Sequence, residues 1–130
     1  MSQIFVNGSF DILHRGHLEL LKYAKSLGTV LVAIDTDRRI SELKGNKRPI
    51  NCVNDRKFHL ESLKYVDKVS IFDSDQELID LIKSWNTNIM IKGSDYKNTF
   101  ILGSEYCNEI RFYDRTIHST TKTIQDIIDR

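Results

Sequence analysis

The chain has 130 residues, one domain's length, enough to bury roughly two-thirds of its unfolded surface in a single core. With 40% hydrophobic and 28% charged residues it lies outside the range of disordered chains. The 19 Lys+Arg against 18 Asp+Glu give a net charge of +1, which excludes the global basicity of a protein held to nucleic acid mainly by phosphate contacts.

The first β-rich run is Ile4-Phe5-Val6, read as a strand. No charged leader precedes it, and no apolar run approaches the roughly 18 residues of a membrane span. A cytoplasmic protein with neither membrane nor nucleic acid as partner is therefore expected. The segment Asn7 to His17 leaves this strand and enters a helix marked by Leu18, Leu21, Ala24 and Leu27, with Gly28 as its C-terminal stop. Within it His14 and His17 flank Gly16 at the start of the helix, where side chains three apart share a face and backbone N–H groups attract anions. A glycine lets a phosphate approach the backbone, and an imidazole can donate to an oxygen gaining charge. The same pair could also be a capping histidine and a surface histidine, or metal ligands lacking a clear third partner.

A second strand, Val30 to Ile34, leads through a short helix into a polar stretch from Lys44 to Asn54, read as a long loop. Lys44 there can reach a phosphate as a flexible point charge, and Arg56 just beyond can clamp one with both guanidinium arms. Arg48 is a further candidate; a solvated basic surface is the alternative. Phe58, Leu60, Leu63 and Tyr65 mark the next helix, Lys68 to Phe72 the third strand, and Leu78, Ile79, Leu81, Ile82 and Trp85 another helix. Ile89-Met90-Ile91 is the fourth strand, followed by Lys92-Gly93-Ser94-Asp95-Tyr96. This string is either a glycine turn with an Asp cap or a ligand-binding turn. Ile110 to Tyr113 forms the fifth strand, and Ile124, Ile127 and Ile128 mark a terminal helix. Before that helix, Arg115 and the hydroxyls Ser119, Thr120 and Thr121 with Lys122 read as ordinary caps or as phosphate donors. Cys52 and Cys107 have no C-x-x-C spacing and are expected to be two unpaired thiols. The alternation of strands and helices predicts an α/β fold with a parallel sheet, whose ligands bind beyond the carboxyl ends of the strands.

The string Gly8-Ser9-Phe10-Asp11-Ile12-Leu13-His14-Arg15-Gly16-His17 resembles the G-x-F-D-x-x-H-x-G-H signature of the cytidylyltransferase-like nucleotidyltransferases; G-x-G-x-x-G, the Rossmann dinucleotide fingerprint, is absent from this turn. Three further segments resemble the family in the same order. Leu43-Lys44-Gly45 with Arg48-Pro49 and Arg56 is similar to a segment of heptose 1-phosphate adenylyltransferases, as is the K-G-x-D-Y of Lys92 to Tyr96. The ending S-T-T-K with Arg115-Thr116 upstream is similar to the cytidylyltransferases that use glycerol 3-phosphate, although only Ile117 and His118 separate the two parts where that pattern has three residues.

The resemblance spans about Ile4 to Ile127 and implies a Rossmann-like three-layer fold with a five-stranded parallel sheet ordered 3-2-1-4-5, in a homodimer. It implies transfer of a nucleoside monophosphate from ATP, or alternatively CTP, to a phosphorylated sugar or alcohol, with release of pyrophosphate and with Mg²⁺ as cofactor. A nucleotide-binding module without turnover is the third alternative. By the same resemblance His14, His17 and Lys44 are catalytic; Gly8, Ser9, Phe10, Asp11 and Gly16 hold the nucleotide. Lys92, Gly93 and Asp95 lie near its base, while Arg115, Ser119, Thr120 and Thr121 hold its outer phosphates. Lys44 and Arg56 contact the acceptor, and Asp11 orients a histidine or a metal-bound water. The kinase domain to which the heptose enzymes are often fused is expected on another chain.

Overall fold

The computed structural model describes residues 2–114. Five strands, β1 (Ser2–Gly8), β2 (Gly28–Asp35), β3 (Lys68–Phe72), β4 (Ile89–Gly93) and β5 (Glu109–Tyr113), alternate with four helices. These are α1 (Arg15–Leu27), α2 (Asp37–Lys44), α3 (Val53–Glu61) and α4 (Asp75–Ser84). All strand pairs are parallel, in the order β3-β2-β1-β4-β5, the expected arrangement. The terminal helix expected around Ile124 lies outside the described residues.

The period of two along the strands divides the core into two layers. Ile4, Val6, Val32 and Ile34 face one side, where Leu21 and Ala24 of α1 and Leu60 of α3 cover them. Phe5, Leu31 and Ala33 face the other, where Leu78 and Ile82 of α4 and Ile101 complete the layer. Burial on both faces explains why β1 and β2 read as nearly continuous apolar runs.

Helix α1 ends at Gly28 as expected, for a different reason. Its backbone there is extended (φ 166°), and a Cβ would stand 2.0 Å from the Ser2 carbonyl oxygen, so glycine serves the close approach of β1 to β2. Gly45 ends α2 with φ 101°, a conformation that favours glycine, and leaves Lys44 as the last helical residue.

The sequence placed the helix after the long loop too late. Helix α3 begins at Val53, and its buried positions are Arg56 and Leu60, one turn apart. Phe58 is 69% exposed, and Leu63 and Tyr65 pack on the core from beyond the helix end. An arginine on the inward face hid the true periodicity.

Candidate functional site

The carboxyl ends of β1, β2, β4 and β5 open onto one cleft of about 550 Å³. Asn7 and Gly8, Asp35, Lys92 and Gly93, and Tyr113 line it from the four strand ends. In an open parallel sheet ordered in this way, the connections from the neighbouring strands β1 and β4 leave in opposite directions, and the crevice forms between them.

The loop after β1 is held in an unusual shape. Phe10 has φ 48°, a left-handed conformation costly for a bulky residue, and is fixed by burial of its ring against Gly8 and beside the His17 ring, 5.3 Å between centroids. His14 then caps α1: its Nδ1 accepts from the Gly16 N–H at 3.0 Å, while His17 Nδ1 accepts from the His14 N–H at 3.2 Å. These reciprocal bonds form a capping box built from two imidazoles, whose rings stack with centroids 4.1 Å apart. With Nδ1 accepting, each ring is assigned the neutral tautomer carrying its hydrogen on Nε2. Two backbone donors at the helix start are thus taken by the histidines, and the rings themselves carry N–H groups at the positive end of α1.

Lysines approach from two sides. Lys44 donates to Ser9 Oγ at 3.2 Å. Lys92 donates to Asn7 Oδ1 at 2.8 Å and lies 5.2 Å from the centre of the Tyr96 ring. Burial pushes the Lys92 ammonium down to about 8, with the Asp35 carboxylate pulling the other way. Its charge is therefore held at neutral pH without a direct ion pair among the described residues, a state that a bound anion would relieve.

Of the residues expected from the sequence, Gly8, Ser9, Phe10, His14, Gly16, His17, Lys44, Lys92 and Gly93 line this one cleft. Arg115, Ser119, Thr120 and Thr121 lie outside the described residues, with Lys122. Asp95 is exposed on a 3-10 turn, Ser94–Tyr96, and does not line the cleft, which Tyr96 does.

Two expectations are corrected. The Arg56 side chain is 0% exposed and donates to Ser9 O at 2.9 Å, Asn51 O at 3.0 Å and Asp37 Oδ1 at 2.7 Å. Its guanidinium is a structural tie between α3, the start of α2 and the loop after β1, out of reach of an acceptor phosphate. The Asp11 carboxylate is 1% exposed, and its two oxygens accept from the Ile50 and Asn51 N–H groups, both at 2.8 Å. Rather than orienting a histidine or a metal-bound water, it fastens the long loop to the catalytic-looking one. Asn51 returns a bond from its side chain to Asp11 O at 2.7 Å, and Arg48 Nε stands 3.8 Å from the carboxylate.

The sequence reading overlooked Asp35, Arg39 and Asp75, which line the same cleft. Their position at the end of β2, early in α2 and at the start of the helix after β3 was the available signal; nothing in the spacing joins residues 35 and 75.

A cytidylyltransferase-like family profile matches residues 5–127. The chain is 42% identical over 124 residues to the bifunctional protein HldE of Campylobacter fetus subsp. fetus (strain 82-40), covering 95% of this chain and 27% of that protein. It is 43% identical over 128 residues to the bifunctional protein HldE of Helicobacter pylori (strain Shi470), covering 98% of this chain and 27% of that protein. The chain thus spans about a quarter of the length of the curated relatives it matches. Among solved structures, the lipopolysaccharide core biosynthesis protein from Thermoplasma volcanium GSS1 superposes with a TM-score of 0.73 at 25% identity, over 89% of this chain and 99% of that one. The profile match across nearly the whole chain, on a sheet of the expected order, establishes that the chain belongs to the cytidylyltransferase-like family of nucleotidyltransferases.

Proposed function

We propose that the chain transfers the adenylyl group of ATP to a phosphorylated sugar of the heptose 1-phosphate type, releasing pyrophosphate, in the making of sugar nucleotides for lipopolysaccharide. The observation that carries this reading is the meeting of two Nε2–H imidazoles and two lysines, Lys44 and Lys92, on one cleft at the switch point of the sheet. The HldE relatives and the lipopolysaccharide core biosynthesis neighbour support the sugar nucleotide context. The L-K-G…R-P and K-G-x-D-Y strings support the choice of a heptose 1-phosphate and ATP.

In this reading an oxygen of the acceptor phosphate attacks the α-phosphorus in line, and pyrophosphate leaves from the opposite side. A phosphate monoester near pH 7 is already largely dianionic, with a second pKa of about 6, so no general base is needed. The protein's task is positioning and charge neutralisation. His14 and His17 donate from Nε2 to oxygens of the α- and β-phosphates as their charge grows. Lys44, held beside Ser9, bridges the α-phosphate and the acceptor phosphate. Lys92 adds a buried positive charge near the floor. Arg115, Ser119 and Thr120 hold the β,γ end. Mg²⁺ enters as part of the substrate, carried on the triphosphate oxygens.

The S-T-T-K ending favours a second reading, transfer of a cytidylyl group from CTP to glycerol 3-phosphate. Pyrophosphate release measured with ATP or CTP, each with heptose 1-phosphate, glycerol 3-phosphate or no acceptor, separates the two. Release requiring ATP and the heptose supports the first reading. Release only with CTP and glycerol 3-phosphate replaces it with the second. Nucleotide binding without release in any combination makes the chain a binding module.

A further inference from the structure

The cleft has a second pole of opposite character. Asp35 closes β2, Arg39 lies one turn on in α2, and Asp75 opens α4. Arg39 donates from Nε to Asp35 Oδ2 at 2.9 Å and from Nη2 to Asp75 Oδ1 at 2.6 Å, with its guanidinium 5.4 Å from the Phe72 ring centre. Clamped in this way it is a fixed side chain, 20% exposed, and two carboxylates outweigh its single charge. All three residues line the cleft that His14, His17 and Lys44 also line.

Two carboxylates around one guanidinium make this end less suited to a phosphate group than the Lys44 end. Each carboxylate engages Arg39 through one oxygen and keeps the other as an acceptor, the chemistry that recognises hydroxyl groups. Preorganised charged acceptors of this kind discriminate strongly against a ligand that lacks the matching hydroxyl, because they then lose water without gaining a partner. Helix α2 links the two poles, since Arg39, Leu43 and Lys44 all line the cleft. From Arg39 to Lys44 the helix rises by about 7.5 Å. A ligand whose phosphate rests on Lys44 is therefore led along α2 toward the carboxylates. A pyranose ring with its side chain carries hydroxyl groups over more of that span than a glycerol chain does.

We propose that Asp35, Arg39 and Asp75 are specificity-determining residues that bind the hydroxyl-bearing part of the acceptor and select a polyhydroxylated sugar phosphate over a three-carbon polyol phosphate. The inference rests on the nucleotidyl-transfer reading above, with Lys44 on the acceptor phosphate. It assigns the α2–α4 side of the cleft to the acceptor and leaves the His14 and His17 side to the nucleotide.

Steady-state pyrophosphate release by the full chain tests it, using Asp75→Ala, whose side chain is 65% exposed, and Asp35→Asn as the conservative variant. Asp75→Ala is expected to raise KM for heptose 1-phosphate by about tenfold or more, the scale of a hydrogen bond to a charged group, while KM for the nucleotide stays unchanged. Sugar phosphates lacking single hydroxyls provide the second arm. At least one should be a poorer acceptor for the unmodified chain yet suffer a smaller penalty in the Asp75→Ala or Asp35→Asn variant. Equal rises in both KM values, or the same deoxy penalty with and without each substitution, would overturn the assignment. Turnover of the sugar phosphate with kinetics unaltered in both variants overturns this inference alone. No release by the unmodified chain with any acceptor overturns the transfer reading and this inference with it.

Discussion

His17 does two things that a substitution separates. Its Nδ1 accepts from the His14 N–H within the cap of α1, and its ring lines the cleft with Nε2–H as a donor. Loss of a cap costs about 1 kcal/mol. Loss of a preorganised donor to a developing oxyanion costs about 10²-fold or more in turnover. His17→Ala is thus expected to lower kcat by about 10² or more with only a small fall in melting temperature; near-normal kcat removes the residue from the catalytic set. Lys92 allows a prediction in pH. Its pKa is lowered in the fold to about 8 from the ordinary 10.5, so the unfolded chain binds the proton more tightly. The resulting penalty on stability is fully present below pH 8 and disappears as pH rises from about 8 toward 10.5. A triphosphate bound against Lys92 should reverse the shift, so nucleotide binding near pH 8 to 9 is expected to take up protons, with affinity weakening by at most about tenfold per pH unit above pH 8. Calorimetric titration in buffers of different ionisation enthalpy measures this uptake, and none at pH 8.5 would place Lys92 away from the phosphates.

The loops that shape the cleft depend on ties between elements. Arg56 in α3 reaches the loop after β1 through Ser9 O and the first residue of α2 through Asp37. Truncating Arg56 leaves the carbonyl oxygens of Ser9 and Asn51 without their donor, at about 1–3 kcal/mol for each buried unsatisfied group, while the half-exposed Asp37 turns to water. Arg56→Ala should therefore move the urea midpoint far down; a raised acceptor KM with unaltered stability would restore Arg56 as a phosphate contact. At the other end of the sheet, Gly28→Ala places a Cβ 2.0 Å from the Ser2 backbone oxygen, which no side-chain movement can relieve. Its effect should exceed the ordinary cost of a point change, about 1 kcal/mol, several times over in thermal unfolding. A melting temperature within a degree or two of the unmodified chain would show that β1 starts later than Ser2. These two positions also mark what local pattern reveals. Gly28 was legible as a helix stop because the apolar repeat ends there, but the close approach of Ser2 is a contact between segments 26 residues apart. The register of α3 was misread for a related reason: a hydrophobic periodicity cannot include an arginine that is buried through bonds to distant carbonyls.

At the scale of the whole molecule, the parallel sheet brings dispersed residues to one crevice, so ligand binding should stabilise the fold as a unit. Nucleotide at a hundredfold its Kd is expected to add about 2.7 kcal/mol, seen as a rise in melting temperature of several degrees that His17→Ala or Lys44→Ala reduces. No thermal shift with either ATP or CTP, at concentrations saturating in the pyrophosphate assay, would mean that the binding energy is not coupled to folding. Among the described residues no helix is long and apolar enough to cross a membrane, in keeping with the absence of such a run in the sequence. The small net charge of +1 proved a poor guide to the cleft, which gathers His14, His17, Lys44, Lys92 and Arg39 with the carboxylates of Asp35 and Asp75.

The sequence by itself determined the α/β class, the strand segments and the loop that carries His14 and His17. Those features follow from local periodicity and from residues contiguous in the chain, which are subject to the same backbone rules in any context. Only the tertiary structure decided which charges face the cleft. It buried Arg56 and Asp11 as ties, left Asp95 on an exposed turn, and set Asp35, Arg39 and Asp75 together across the ends of β2 and α4. The same ionisable group serves as a ligand contact or as a strut according to whether its partners are supplied by solvent and ligand or by backbone from another element. That choice is made by packing among residues far apart in the chain.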